Sequence, residues 1–154
     1  MKIEKLNNLA MLLANIGVIA GIIFLALEVR QNTTMMRAAT RDSMTQQLTN
    51  WQLTVASNPK TAIIYQKGNG GFAGLEQDQA ENITYGLLAN SIFRIWENEW
   101  YQYQLGLYEE EEFTPRLARW ERNIRGSTGY RDMWLRSREQ FSSGFQNIID
   151  GFIE

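Results

Sequence analysis

The sequence predicts an all-α protein, in which an N-terminal single-pass transmembrane helix continues into a long helix that is followed by a compact multi-helix domain. Residues 9–27 form an uncharged, apolar run in which Asn15 is the one polar side chain. Only 2 of the 154 residues are proline, and beyond residue 30 apolar residues recur at spacings of three to five, as in amphipathic helices. No segment of useful length alternates apolar and polar residues in the way that half-buried strands do.

The apolar run over residues 9–27 has the length of a membrane span, because about 20 apolar residues in a helix cross the roughly 30 Å hydrocarbon core. A secretory signal peptide has a shorter apolar stretch, of about 7–15 residues, that ends at a small-x-small cleavage triplet. Here the run ends at Glu28 without such a triplet. A buried core helix is the other alternative, but a soluble domain of this size rarely buries a helix that is apolar on every side. We therefore expect a tail over residues 1–8, an uncleaved transmembrane helix over 9–29 and a helical extramembrane domain over 30–154.

The charges that flank the apolar run give only a slight preference for one orientation in the cell membrane. Lys2, Lys5 and the α-amino group lie on one side, and Arg30, Arg37 and Arg41 lie on the other. Because three positive groups lie on each side of the run, the positive-inside rule hardly favours one orientation over the other. We expect a cytoplasmic domain, and the lack of cysteine fits a reducing compartment.

Four small residues in the apolar run follow one another at spacings of 4, 3 and 4, which places them on one narrow stripe of a helix. Such a stripe lets two membrane helices approach closely. It predicts a packing face for a homodimer or for a membrane-protein partner. The alternative is that Gly and Ala are simply common in membrane helices. The stripe consists of Ala10, Ala14, Gly17 and Gly21.

The first helix is expected to continue to about residue 56, because neither Pro nor Gly occurs between residues 22 and 58. Asn58, followed by proline, has the pattern of a helix cap and predicts a short helix that the glycine-rich residues 68–71 end. A central helix is predicted over about 76–105, with Gly106 as its stop.

The second half of the domain shows three further helix patterns. Thr114, followed by proline, predicts the start of a basic helix that ends near residue 125. A loop over 126–129 and a helix over about 130–140 are expected next. Ser143, with a glutamine three residues later, resembles a capping box and predicts the start of the last helix.

The composition excludes most familiar catalytic chemistry. The chain has no Cys and no His, which removes thiol nucleophiles, Ser-His-Asp triads, Cys/His zinc sites and imidazole acid–base catalysis. Glu97 and Glu99 are two apart, so they diverge on a helix, and the four acids at 109–112 form a row without convergent geometry. The glycine-rich stretch 68–74 lacks the Lys-Ser/Thr end of a P-loop. We therefore expect no enzyme and assign no catalytic, cofactor-binding or metal-binding residue.

Aromatic side chains are concentrated in the central helix. Their helical spacing is typical of a domain core, and the alternative is a surface for a protein partner or for lipid. The candidate surface residues are Trp96, Trp100, Tyr101 and Tyr103.

Charge is divided between two neighbouring blocks, although the net charge of −2 gives no reason to expect nucleic-acid binding. Residues 76–112 carry nine acids and one arginine, whereas residues 116–138 carry seven arginines and two acids. The favoured interpretation is that the basic helix folds against the acidic one. The alternative is contact with anionic lipid head groups, worth about 1 kcal/mol per basic residue. The candidate head-group contacts are Arg116, Arg119, Arg122 and Arg125.

The exit from the apolar run, ALEVRQNT over residues 26–33, resembles a family of short, uncharacterised bacterial proteins with one N-terminal membrane helix. ASNP over 56–59, WYQYQLGL over 100–107 and Trp134 with the arginines after it resemble the same family. The resemblance implies a bacterial source and an anchored helical domain, and it implies no catalytic residues. Glu28 stands where the family usually has a neutral residue.

Together these patterns predict a non-enzymatic accessory or scaffolding partner in a membrane complex, with membrane lipid and a membrane protein or a second copy as its partners. A sensor or regulator that relays a signal through the long helix is the first alternative. An enzyme that acts on a lipid-side substrate is the second alternative.

Overall fold

The chain folds almost entirely as helix. The computed structural model describes residues 2–75 and 78–154, is 90% helical, and contains no strand in those ranges. The prediction of an all-α fold is confirmed. Short 3-10 turns cover Phe72–Gly74 and Arg138–Gln140. The helices are α1 (Lys2–Ala56), α2 (Pro59–Asn69), α3 (Gln79–Gln104), α4 (Glu110–Gly126), α5 (Thr128–Ser137) and α6 (Ser143–Ile153).

The chain divides into two compact units, Met1–Ala39 and Thr40–Glu154. In the first unit, every described side chain is exposed. Helix α1 is long and apolar enough to cross a membrane: its most apolar window has a mean hydropathy of 2.5, and none of that window is buried. Signal sequences meet the same criteria of length and composition, whereas the core helix of a soluble protein is mostly buried.

Asn58 caps α2 as predicted, and Asp78, which was not predicted as a cap, is the cap of α3. The side chain of Asn58 accepts a hydrogen bond from the Lys60 backbone N–H at 2.9 Å, so α2 begins at the expected place. Asp78 caps α3 by accepting from the backbone N–H groups of Ala80 and Glu81 at 2.9 and 3.2 Å. The predicted start of the central helix at about residue 76 lies outside the described residues.

Gly106 ends α3 as predicted. Its φ of 69° lies in the left-handed region that favours glycine. Its N–H bonds the Tyr103 carbonyl at 2.9 Å, and the Leu107 N–H bonds the Gln102 carbonyl at 3.0 Å. This pair of bonds is a Schellman motif, which satisfies carbonyl groups that the helix end would otherwise leave free.

The predicted start of the basic helix at Thr114 is wrong, because α4 begins at Glu110. The backbone N–H groups of Glu112 and Phe113 already bond the Glu109 carbonyl, at 3.0 and 2.9 Å. The first turn therefore closes before Pro115, with three glutamates at the end of the helix where the macrodipole favours negative charge.

The loop predicted over residues 126–129 is reduced to Ser127, which follows α4 and caps α5. Its hydroxyl accepts from the Tyr130 N–H at 3.1 Å and donates to the Asn69 carbonyl at 3.0 Å. The helix predicted over 130–140 accordingly begins at Thr128 and changes to a 3-10 turn after Ser137.

The capping box predicted from Ser143 is wrong. Helix α6 begins at Ser143, so Ser142 is its cap, and the Ser142 side chain makes no capping bond. The Ser142 N–H instead donates to Glu97 Oε1 at 2.7 Å, and the Gln146 amide donates to the Phe141 carbonyl at 2.8 Å.

The core lies within Thr40–Glu154 and is mainly aromatic. Helix α3 supplies its middle, and the second half of α1 contributes Met44, with Leu48 and Trp51 packed against the core. Of the aromatic side chains on α3, Tyr85, Phe93 and Trp96 are buried. The largest wholly buried side chains are Trp120, Trp134, Tyr85, Phe93 and Phe145.

Two glycines bring the end of α2 against the start of α5. A Cβ at Gly129 would overlap the Gly68 carbonyl oxygen and the Tyr85 hydroxyl, and a Cβ at Gly68 would overlap the Tyr85 ring. Only glycine therefore fits at either position without movement of the neighbouring helix.

Candidate functional site

A buried carboxylate is the most unusual group in the domain. Glu99 on α3 has an exposed fraction of 0%. Its Oε1 accepts a hydrogen bond from Arg116 Nη2, and its Oε2 accepts one from Trp120 Nε1 at 3.2 Å. Both donors come from one face of α4, because residues four apart are neighbours on a helix. We call Glu99, Arg116 and Trp120 the Glu99 centre.

Burial dominates the electrostatics of the Glu99 centre. Loss of hydration raises the pKa of Glu99. The hydrogen bond and positive charge of Arg116, together with the hydrogen bond from Trp120, oppose this rise only in part. The Nε of Arg116 is buried and has no hydrogen-bond partner among the described residues. A buried donor without an acceptor costs about 1–3 kcal/mol, so an acceptor at this point would stabilise the structure.

A small cavity of about 100 Å³ lies beside the Glu99 centre, wholly within Thr40–Glu154. Helices α1 to α5 each contribute to its lining. Its polar wall contains Arg116, Arg119 and Asn123 from α4, with Tyr65 and Tyr130 beside them. The two tyrosine hydroxyls bond each other at 2.8 Å, and burial raises the pKa of Tyr130, so this phenol stays neutral. We call this space the arginine cavity.

The other wall of the arginine cavity is aromatic. Trp51, Trp96 and Trp120 line it. Trp96 and Trp120 stack with ring centres 5.7 Å apart, and Trp51 Nε1 donates to the Leu88 carbonyl at 3.0 Å. These apolar rings lower the local dielectric constant, which strengthens interactions with the nearby arginines.

The structure separates the four residues of the candidate aromatic surface. Trp96 is 3% exposed and belongs to the core, so it cannot contact a partner, and its inclusion in a surface was wrong. Trp100 and Tyr103 are half-buried against the core. Tyr101 is 54% exposed. The ring partners of the half-buried pair are Phe145 for Trp100 and Phe113 for Tyr103.

The four arginines proposed for lipid contact also differ from one another. Arg116 pairs with Glu99 through Nη2 and is mostly buried, which fits the interpretation that the basic helix folds against the acidic one. Arg125 pairs with Glu121 of its own helix at 2.9 Å, whereas Arg119 and Arg122 are exposed. Lipid contact by the exposed arginines stays a prediction.

The small-residue stripe lies on the apolar part of α1. Ala10, Ala14, Gly17 and Gly21 are all exposed. A Cβ placed on Gly17 or Gly21 would meet no other atom within 4 Å, so nothing in the described chain covers these two glycines. Its role as a packing face stays a prediction.

Sequence reasoning missed the burial of Glu99. It treated Glu97 and Glu99 as a diverging pair, and they do diverge: Glu97 bonds Arg94 at 3.0 Å, on a different side of α3 from the Glu99 centre. The useful pattern was the position of Glu99 three residues after Trp96 and four before Tyr103, on the aromatic face of α3. A glutamate on such a face needs a positive partner, and α4 provides it.

No protein-family model, curated protein or solved structure matches this chain. The resemblance to uncharacterised bacterial proteins therefore stays an expectation. Among the described residues, no group of three or more Asp or Glu side chains is placed to hold a metal ion.

Proposed function

We propose that this chain is anchored in a membrane by α1 and serves as a non-enzymatic accessory or scaffolding partner in a membrane complex. The observation that carries the proposal is the exposure of the apolar segment. Every Leu, Ile, Val, Met and Phe side chain from residue 9 to residue 27 is at least 53% exposed. Burial of each is worth about 1.5–3 kcal/mol, so lipid or another apolar surface is expected to cover them.

Anchoring is favoured over removal as a signal peptide by the sequence at the end of the segment. The apolar run reaches Glu28 and Arg30 without a small-x-small triplet, and α1 continues through both residues without a break. The same helix goes on to provide Met44 to the core of the domain.

The anchor is tested by expressing the full chain with a C-terminal tag and extracting the membranes at alkaline pH. We expect the chain to stay in the membrane pellet with an intact mass of 17.8 kDa plus the tag. Ile16→Arg should weaken insertion by about 2.5–3.5 kcal/mol, because it places a charge at the middle of the span. Leu135→Arg, at an apolar position that is 64% exposed in the domain, is the matched control and should leave the chain in the pellet.

A shorter mass that lacks the apolar segment would show cleavage and overturn the anchor. A full-length wild-type chain in the soluble fraction would overturn it as well.

The scaffolding role is tested by substitutions on the small-residue stripe. Gly17→Ile and Gly21→Ile should abolish the dimer, or co-purification of a stoichiometric membrane protein, because the larger side chain holds the helices apart. Ile19→Phe, which also enlarges a side chain but lies on the opposite side of α1 from the stripe, is the control. If the glycine variants behave like this control, the stripe is not the interface.

A sensor or regulator is the second candidate, and one observation favours it: the arginine cavity gives the domain a place for a small ligand.

A further inference from the structure

We propose that the arginine cavity binds a small free oxyanion, of the size of inorganic phosphate or a short carboxylate, between the guanidinium groups of Arg116 and Arg119. Every residue that lines the cavity lies within Thr40–Glu154. Anion binding therefore does not depend on membrane anchoring, and an experiment can refute one of these two proposals without refuting the other.

The charge of the cavity points to an anion. Its lining contains two arginines, the Asn123 amide and no Asp or Glu. Glu99 does not line the cavity, and its two carboxylate oxygens already accept hydrogen bonds from Arg116 Nη2 and Trp120 Nε1. The guanidinium of Arg119 donates no hydrogen bond to another described residue. One buried carboxylate thus faces two arginines, which leaves positive charge for a ligand.

The hydrogen-bonding capacity of Arg116 supports the same conclusion. Its Nη2 is occupied by Glu99, but its buried Nε has no acceptor within the described ranges. Water could satisfy one donor. An oxyanion offers several oxygens, so it can accept from Arg116 and Arg119 together in charge-assisted bonds, which are stronger than bonds between neutral groups.

Size limits the ligand class. The cavity volume of about 100 Å³ suits a small anion such as phosphate, sulfate or acetate better than a nucleotide or a sugar phosphate. Arg119 is exposed and Arg116 is mostly buried, so Arg119 lies at the mouth and Arg116 lies deeper.

The chain carries its own optical probe of this site, because three of its five tryptophans line the cavity. The experiment titrates the full chain in detergent micelles with inorganic phosphate, with chloride replaced to hold ionic strength constant, and follows tryptophan emission. We expect a saturable change and a rise in Tm with phosphate, because a ligand of the folded state stabilises it. A parallel titration with acetate tests the carboxylate form of the ligand.

Two matched arginine variants make the test specific. Arg119→Gln removes one guanidinium from the mouth and should weaken phosphate binding about 10- to 100-fold, as expected for loss of a charged hydrogen bond. Arg122→Gln removes an exposed arginine of α4 that does not line the cavity, so it should bind like the wild type. Arg119 is chosen over Arg116 because loss of Arg116 would leave Glu99 unpaired and could unfold the domain.

The proposal is overturned if neither phosphate nor acetate gives a saturable response, or if Arg119→Gln and Arg122→Gln respond alike. Micelles that contain phosphatidic acid replace free phosphate in a third titration. A response to these micelles without a response to the free anion would assign the site to lipid phosphate and overturn the proposed ligand.

Discussion

Removal of the positive partner of Glu99 is expected to destabilise the domain strongly. Arg116→Met keeps much of the aliphatic stem and removes the guanidinium, so Oε1 of a wholly buried carboxylate loses its donor. Breaking a buried ion pair from one side costs about 3–5 kcal/mol. The same substitution at an exposed site, Arg122→Met, should change the free energy of unfolding by no more than about 0.5 kcal/mol.

The cost of Arg116→Met should depend on pH in a defined direction. Burial already raises the pKa of Glu99, and loss of Arg116 removes the main opposing influence. When the pKa of the folded state lies above that of the unfolded state, folding favours the protonated acid. The penalty is therefore smallest at a pH where Glu99 is protonated in both folded proteins. It grows as pH rises through the raised folded-state pKa of the wild type towards the still higher folded-state pKa of the variant. The difference in the free energy of unfolding between variant and wild type should be small near pH 4 and should increase with pH.

The assay is urea unfolding of the full chain in detergent micelles, followed by tryptophan emission at several pH values. The double variant Glu99→Leu/Arg116→Met is the decisive comparison, because replacement of a whole buried pair by apolar residues is often neutral or stabilising. It should be more stable than Arg116→Met at neutral pH. Equal stability of the single and double variants at every pH would refute the idea that Arg116 compensates a buried charge.

Two further predictions concern glycine packing and helix capping. Gly129→Ala should destabilise the domain by about 1–3 kcal/mol, because the new Cβ would overlap a backbone carbonyl of α2. A Cβ at Gly126 would meet no atom within 4 Å, so Gly126→Ala should stabilise the domain by about 0.5–1 kcal/mol. Thermal unfolding measures both, and equal shifts would contradict the close approach of α2 and α5. Asp78→Ala removes two capping bonds and should cost about 1 kcal/mol, with faster hydrogen exchange in the first turn of α3. Asp78→Asn should retain most of the cap, and fast exchange in that variant as well would show that the side-chain bonds do not hold the turn.

Local rules predicted the elements whose ends depend on nearby residues. Asn58 starts α2, and Gly106 ends α3, because each cap needs only backbone groups within a few positions. The start of α4 was predicted wrongly because two local patterns compete there. The Thr114 pattern favours a helix start at residue 114, and the glutamates from Glu110 favour an earlier start. The hydrogen bonds to the Glu109 carbonyl show that the helix takes the earlier start.

The candidate site could be predicted only in part. The sequence places Glu99 beside the aromatic face of α3 and places a row of arginines on the next helix. It does not say which arginine reaches the carboxylate. That choice depends on how far α4 is displaced along α3, which is set by packing such as the stack of Trp96 on Trp120. The arginine cavity depends in addition on Trp51, from a helix that is distant in sequence.

The junction at Ser127 constrains how this protein can change in length. One residue both follows α4 and caps α5, and its hydroxyl ties the Tyr130 N–H to the Asn69 carbonyl. An inserted or deleted residue would turn one helix by about 100° relative to the other and would move Gly129 away from Gly68. Surface connections usually tolerate insertions, but this connection is a single residue that is hydrogen-bonded to both α2 and α5. Natural variants of different length are therefore expected to gain or lose residues after α2 or after Gly106, and to keep the spacing from Trp120 to Trp134 unchanged.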